Sequence, residues 1–413
     1  MAAAAEIRRV QLGRYELDAW YTSPYPEGYD VEKLYVCEWC LKYYASAVEV
    51  CRCCSGPGAQ RRPPGREVYR QGRLHAFEVD GREQQLYGQC LCLLAALFLD
   101  HADAAYSVAP FLFYVFAEEK ARPPADADAA DAADAADADA AVSPGAVREH
   151  NLDPASDSEF ELMAYFSKQK GGNGAKNLGC ILTLPPYQRR GLGTLMVEFS
   201  YALSRAECKP GTPERPLSDL GQLQYRSYWL RTLVKQLAEV LSRQQQQSVG
   251  AGGGGTGGSD GPVSYPTVRE LSMQTFVTEE DIISTLLPLN FLRMAGRIEQ
   301  SHNCQARAGA SGEGSAANDG SETTVTVGDQ YVVSPDSNVL QELARQIGAK
   351  HSAKISQARA EANRDERNCR YVFEPAGVLV SRPTQLLSGR RFDAEEHTQP
   401  CQHKQLSSEL RLD

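Results

Sequence analysis

Asn177-Leu-Gly-Cys-Ile-Leu-Thr-Leu-Pro-Pro-Tyr-Gln-Arg-Arg-Gly-Leu-Gly-Thr-Leu-Met-Val-Glu-Phe-Ser-Tyr201 decides the fold. It reads as strand, turn, helix. Leu178 to Leu184 is an apolar run with the length of a buried strand. Pro185 and Pro186 end it, because proline has no N–H to give to a ladder. The turn Gln188-Arg-Arg-Gly-Leu-Gly193 follows. Leu192, Leu195, Met196, Phe199 and Leu203 then fall at i, i+3, i+4, i+7 and i+11, one apolar stripe on a helix. A glycine turn that opens a helix binds anions, since free N–H groups point outward and the dipole is positive there. Gly191 and Gly193 let the backbone close on a phosphate with no Cβ in the way, and Arg189 and Arg190 add positive charge. The turn lacks the third glycine of a dinucleotide fingerprint and the Gly-Lys-Ser/Thr of a P-loop.

A chain of 413 residues with 42% apolar residues has room for two or more domains. Its net charge is −10, but Asp126, Asp128, Asp131, Asp134, Asp137 and Asp139 share one alanine-rich tract, so the remainder is only mildly acidic. That excludes a general DNA-coating protein and suits a basic substrate such as a lysine-rich tail. No apolar run reaches a membrane span, so no membrane partner is expected, and Met1-Ala-Ala-Ala-Ala is too short for a secretory core. Of 12 cysteines, five fall between Cys37 and Cys54, which points to metal in a reducing compartment rather than a disulfide framework. Cys37/Cys40 facing Cys51/Cys54 makes a closed four-thiolate zinc site whose role is folding, with Cys53 able to replace either partner of the second pair.

Outward from these motifs, Arg14–Pro26 holds a strand and ends in a Pro-rich turn. Pro63–Gly81 reads as two strands joined at Gly72, with His75 a packed residue of the second. Leu86–Leu99 reads as a buried helix carrying Cys90 and Cys92, and Pro110–Phe116 as a central strand. Residues 122–150 are a disordered Ala/Asp insertion before a strand over Phe160–Phe166, and Lys168–Lys176 is a Gly-rich loop. Pro210, Pro213 and Pro216 hold Glu214 on a stiff loop, and Ser218 caps the helix that follows. Glu214 is either a free carboxylate or one paired with Arg215. Residues 244–264 form a Gln/Gly linker, and Val268–Leu289 reads as helix, turn, helix with Thr278 capping. The domain limits are then 6–80, 81–243, 265–335 with a Gly/Ser insertion at 306–321, and a charged helical segment and polar tail over 336–413.

Five blocks occur in one order: Tyr35-Val-Cys-Glu-Trp-Cys-Leu-Lys-Tyr43, Phe77-Glu-Val-Asp-Gly81, Leu97-Phe-Leu-Asp-His101 with Pro110-Phe-Leu-Phe-Tyr114, Cys180-Ile-Leu-Thr-Leu-Pro-Pro-Tyr-Gln-Arg-Arg-Gly-Leu-Gly193, and Pro213-Glu-Arg-Pro-Leu-Ser-Asp-Leu-Gly221. Together they resemble the MYST family of histone acetyltransferases over roughly residues 6 to 295. The resemblance implies an α/β fold with a GNAT-like acetyl-CoA-binding core, an N-terminal zinc finger and a C-terminal helix-turn-helix region. It implies that Ile181, Leu182 and Thr183 meet the acetyl and pantetheine end of acetyl-CoA. Gln188, Arg189, Arg190, Gly191, Leu192, Gly193 and Thr194 would hold its pyrophosphate, and Ser218 and Ser227 would make further contacts. Glu214 takes the family's general-base position and Cys180 its active-site cysteine, either as an acetyl-thioester carrier or as a pocket residue. The implied substrates are lysines of core histone tails in the nucleus. Chromatin-complex subunits are the implied partners, with nucleosomal DNA a weaker one. Counting from Cys37 puts Cys53 at the family's zinc histidine and Pro57 at its last cysteine, and Ala102 stands where the family has an acetylated lysine. Two rival readings are a non-catalytic chromatin-binding protein and an acetyltransferase for non-histone proteins or small amines.

Overall fold

The computed structural model describes residues 6–47, 54, 59–100, 107–120, 159–171, 176–250, 265–294, 331–362 and 371. The Ala/Asp insertion, the Gly/Ser insertion at 306–321 and the polar tail lie outside them. The chain divides into two compact units. The first holds the described residues up to Gly171 with Leu178–Met196, and the second holds Lys176, Asn177 and the described residues from Val197 onward.

In the first unit, β1 (Arg9–Leu12), β2 (Tyr15–Asp18), β3 (Lys33–Val36) and β4 (Tyr43–Tyr44) form a sheet in the order β2-β1-β3-β4. Val10, Leu12, Leu34 and Val36 are buried in alternation with their neighbours, as a sheet with one covered face requires. The sequence pattern anticipates β2 inside Arg14–Pro26 but not β1. The tight turn between them sits at Gly13, with φ of +54°.

A second, antiparallel sheet runs in the order β10-β8-β7-β6-β5. Its strands are β5 (Arg66–Gln71), β6 (Leu74–Asp80), β7 (Phe111–Glu119), β8 (Phe160–Gln169) and β10 (Ile181–Thr183). β7 is central, and Leu112 to Ala117 are all buried, so both faces are covered. Helix α1 (Gln85–Ala96) packs close to β7, where a Cβ on Gly88 would lie 3.0 Å from the Phe113 ring. Its first apolar residue, Leu86, is exposed. His75 is buried on β6 with Nδ1 2.9 Å from Glu67, as expected of a packed histidine.

Two expectations change here. β8 runs on to Gln169 and β9 (Lys176–Leu178) begins at Lys176, so the loop expected over Lys168–Lys176 is shorter. The apolar run Leu178–Leu184 is not one strand, because β9 ends at Leu178 and β10 starts at Ile181. Ser167 causes the break by using its own groups on the gap. Its N–H donates to the Cys180 carbonyl at 2.8 Å, and its carbonyl accepts from Gly179 at 2.7 Å. Its Oγ accepts from the Cys180 N–H at 3.0 Å.

In the second unit, Lys176 and Asn177 of β9 pair with β11 (Thr212–Pro213). Helix α2 (Leu192–Ala206) carries the expected stripe, with Leu192, Leu195, Met196, Phe199 and Leu203 all buried. Helix α3 is continuous from Asp219 to Gly250, so the backbone of residues 244–250 is helical where a linker is expected. Glutamine is a good helix former, and a helix already three dozen Å long propagates into such a run at little cost. Trp229 of α3 donates to the Tyr201 hydroxyl at 2.7 Å, and Tyr228 stacks on the Tyr201 ring. Helices α4 (Val268–Thr275) and α5 (Glu279–Leu286) form the expected helix, turn, helix. A ladder of β12 (Leu292–Met294) and β13 (Tyr331–Val333) follows, then α6 (Ser337–Ala362), which packs along α3.

Among the described glycines of this unit, Gly211 has the closest neighbours. A Cβ there would lie 2.6 Å from Ser204 Oγ and 2.7 Å from Asn177 Nδ2. Gly211→Ala is therefore expected to destabilise the chain by about 1–3 kcal/mol. A thermal melt followed by circular dichroism should show a midpoint lower by several degrees. An unchanged midpoint would mean that Asn177 and Ser204 move aside freely.

Candidate active site

The turn Gln188–Gly193 is built by the first unit. Pro185–Tyr187 forms a short 3₁₀ turn after β10, and Gln188 Nε2 donates back to the Thr183 carbonyl at 3.2 Å. Arg189 and Gly191 both have positive φ, +63° and +87°. A left-handed residue at Arg189 is uncommon outside glycine and asparagine, so the turn is held in an unusual shape. The Gly191 carbonyl accepts the first helical hydrogen bond, from Leu195 at 3.0 Å. The N–H groups of Leu192, Gly193 and Thr194 thus have no carbonyl four residues back within α2, and they lie at the positive end of the helix dipole. Arg189 and Thr194 are exposed beside them.

Arg190 departs from the expectation of two phosphate-facing arginines. Its side chain is buried, 3.8 Å from the Glu118 carboxylate on β7 and over the Tyr187 ring. A buried guanidinium needs such partners. Arg190 therefore ties the turn to the sheet, and Arg189 presents its charge outward.

Ile181 and Thr183 are half-buried on β10, the edge strand, and Leu182 is buried. Cys180 lies just before them at the Ser167 break, partly buried, with Sγ 3.4 Å from the Tyr165 hydroxyl. Burial, then the nearness of Cys180, raises the Tyr165 pKa well above its usual value. Tyr165 stays protonated and can donate to the sulfur. Burial, then Cys180, pushes the Cys92 thiol of α1 up to about 12, which leaves Cys92 inert at neutral pH.

Glu214, Ser218 and Ser227 belong to the second unit. Glu214 directly follows β11, and its half-exposed carboxylate accepts from Lys176 Nζ at 3.1 Å. Arg215, its neighbour, turns away and donates to Asp281 at 2.6 Å. The pairing with Arg215 left open by the sequence is thus not made. Asp281 is fully buried in the first turn of α5, where Thr278 Oγ1 also donates to it at 2.9 Å. The positive end of α5 favours that carboxylate. Gly211 is tied from the other side, its N–H donating to the Phe276 carbonyl at 2.8 Å in the turn between α4 and α5. Ser218 caps α3 as expected, its Oγ accepting from the Gly221 N–H at 3.2 Å. Ser227 is exposed on α3.

Sequence reasoning did not find Ser167, Tyr165, Lys176 or Asp281. Each acts through a long-range neighbour, and none carries a motif of its own. Only Asp281 had a readable signal, since acidic residues suit a helix's first turn.

The Sγ atoms of Cys37, Cys40 and Cys54 lie within 4.8 Å of one another. Tetrahedral thiolates on zinc stand about 3.8 Å apart, so this donor set fits the ion with modest contraction. The knuckle is shaped by Leu41, at φ of +59°, whose N–H donates to the Cys37 carbonyl at 2.9 Å. Hydrogen bonding from the Cys40 side chain, the largest influence, lowers the Cys37 pKa and favours the thiolate that zinc needs. Cys51 and Cys53 lie outside the described residues, so the structure brings together three of the four expected thiols, Cys37, Cys40 and Cys54.

Comparison with known proteins meets this geometry from outside. The model of the MOZ/SAS family matches residues 62–125 and 151–327, more than half of the chain. The chain belongs to the MOZ/SAS family. The MYST family zinc finger domain matches residues 5–53 of this MOZ/SAS member, across Cys37 and Cys40. Relatives include a putative MYST-like histone acetyltransferase 1 of Oryza sativa subsp. japonica, 39% identical over 70% of this chain and 51% of its own length. Histone acetyltransferase MOF of Drosophila melanogaster is 38% identical over 70% of this chain and 28% of its own. A histone acetyltransferase Tip60 homolog of Caenorhabditis elegans is 34% identical over 71% and 52%. The chain spans about half the length of these curated relatives, or less.

For the zinc site of this MOZ/SAS protein, elemental analysis of the purified chain is expected to find one zinc per molecule. Cys40→Ser should release it and lower the melting midpoint. Full zinc retention by that variant would exclude Cys40 as a ligand.

Proposed function

We propose that this chain is a histone lysine acetyltransferase that moves acetyl from acetyl-CoA to the ε-amino group of lysines on core histone tails. Family membership and the names of its relatives support the activity. The observation that carries it is the Gln188–Gly193 turn at the start of α2. Its left-handed Arg189 and Gly191 and its uncommitted helical N–H groups suit a diphosphate. The core is then GNAT-like, with the acetyl-CoA chain running from this turn along the backbone of Ile181, Leu182 and Thr183. Arg189 supplies the outward charge, and Arg190 keeps the turn in place. Ser218 and Ser227 are assigned to the CoA side of the site on the strength of the family resemblance alone.

The reaction sets the demands on the remaining residues. A substrate lysine has a pKa near 10.4 and is almost wholly protonated at neutral pH. A base must take its proton before the nitrogen can attack the thioester carbonyl. Glu214 is assigned that role, because it is a carboxylate on a loop anchored through Gly211 and Arg215, and half-exposed to incoming substrate. Glu214 would take one proton of the substrate ammonium, the freed amine would attack the thioester carbonyl to form the C–N bond as the C–S bond breaks, and the second nitrogen proton would go to the departing sulfur, so that CoA leaves as the thiol. Cys180 assists by shaping the acetyl end of the site, with Tyr165 fixing its sulfur. The zinc finger serves folding, since a site closed by four protein ligands offers zinc no open position. Histone substrates imply a nuclear protein working with chromatin-complex subunits.

Glu214→Gln should lower kcat by about 10²- to 10⁴-fold. Acetyl-CoA affinity, measured by calorimetry, should stay within about twofold, because the carboxylate is assigned to the proton and not to the cofactor. Near-normal turnover by this variant would remove Glu214 from the mechanism.

A further inference from the structure

The base assigned above already holds an ammonium ion. Lys176 Nζ lies 3.1 Å from Glu214 Oε1, and a lysine substrate would bring the same chemical group to the same carboxylate. We propose that Lys176 is an internal competitor for the substrate lysine, a positioning residue that occupies Glu214 in the resting chain and is displaced at each turnover. The inference rests on the reading of Glu214 as base.

The pair is held by its backbone. Lys176 opens β9, which pairs with β11, and Glu214 directly follows β11. Asn177, next to Lys176, is buried and donates to Ser204 Oγ at 3.1 Å. Gly211 closes against Asn177 so tightly that no Cβ fits, and Pro213, beside Glu214, is buried. Only side-chain torsions remain to be ordered when the pair forms. The other nearby cation is diverted, since Arg215 is engaged by the buried Asp281.

The pair is also exchangeable. The Lys176 and Glu214 side chains are 47% and 49% exposed, so water and a substrate can reach both. An exposed ion pair of this kind is weak. It is weak enough to yield to a substrate bound by further contacts. Even where the second carboxylate oxygen receives the substrate, two ammonium groups on one carboxylate repel each other. Either way Lys176 raises the apparent KM for the lysine substrate, and once it is displaced the chemical step proceeds without it.

The test is steady-state kinetics with a lysine-rich histone-tail peptide, on wild type, Lys176→Ala, Lys176→Arg and Glu214→Gln. Lys176→Ala should lower the peptide KM by about two- to fivefold, with kcat within about twofold and the acetyl-CoA KM unchanged. Lys176→Arg keeps a cation that can grip the carboxylate with two N–H groups, so its peptide KM should be no lower than wild type. A lost structural contact would instead raise KM or lower kcat. Fluorescence anisotropy of the labelled peptide reads the same competition without turnover, and Lys176→Ala should bind about two- to fivefold tighter. A peptide KM and affinity in Lys176→Ala no better than wild type, with Glu214→Gln inactive, would overturn this inference alone. Full turnover by Glu214→Gln would instead overturn the base on which it rests.

Discussion

The second unit depends on how closely Gly211 approaches Asn177 and Ser204. A Cβ at Gly211 would force Asn177 or Ser204 to shift, so glycine lets the chain before Glu214 pass close to both. The Gly211 N–H is bonded to Phe276, and four residues later Arg215 reaches the buried Asp281. Steric closeness fixes one side of the loop and a charge pair fixes the other. Between them stands a carboxylate that needs no secondary structure of its own to hold its place. A buried carboxylate such as Asp281 is tolerated only with partners. It has Arg215, Thr278 and the positive end of α5. The helix, turn, helix segment thus supports the loop as well as packing beside it.

The first unit solves a different problem with similar means. The turn before α2 must leave the helix's first N–H groups open without collapsing onto itself. Ser167 interrupts the apolar run before the turn, and Arg190 is drawn inward to Glu118. The turn is left with backbone donors and a single outward arginine. Arg189 presents its charge outward beside the helix end, while Arg190 is held inward against Glu118. Adjacent residues of the same type therefore do different work, decided by which face of a left-handed turn each one occupies.

Much of this could be read from the sequence, for identifiable reasons. The α2 stripe, the two strands around Gly72, the α4–α5 pair and the Ser218 cap all follow from local periodicity or capping, and all are present. The Cys37/Cys40 spacing likewise anticipated a thiolate cluster, and Cys54 joins it. What escaped was long-range. Gly179 is the one hint of the break inside Leu178–Leu184, and it takes its meaning only from Ser167 on another strand, whose carbonyl accepts its N–H. Two arginines side by side read alike until Glu118 distinguishes them. The glutamine run after Arg243 reads as a linker by composition, yet its first residues extend a helix that tertiary packing had already nucleated. Lys176 carries no motif, and its meaning comes only from the carboxylate 38 positions later.

We propose that Asp281, through Arg215, holds the carboxylate of Glu214 in place. The most direct measurement is the turnover of Asp281→Asn on a lysine peptide, at a temperature where circular dichroism shows the variant folded. The account predicts that kcat falls by about tenfold or more while acetyl-CoA affinity holds, since small displacements of a positioned group are costly. A folded Asp281→Asn chain with wild-type kcat would contradict it.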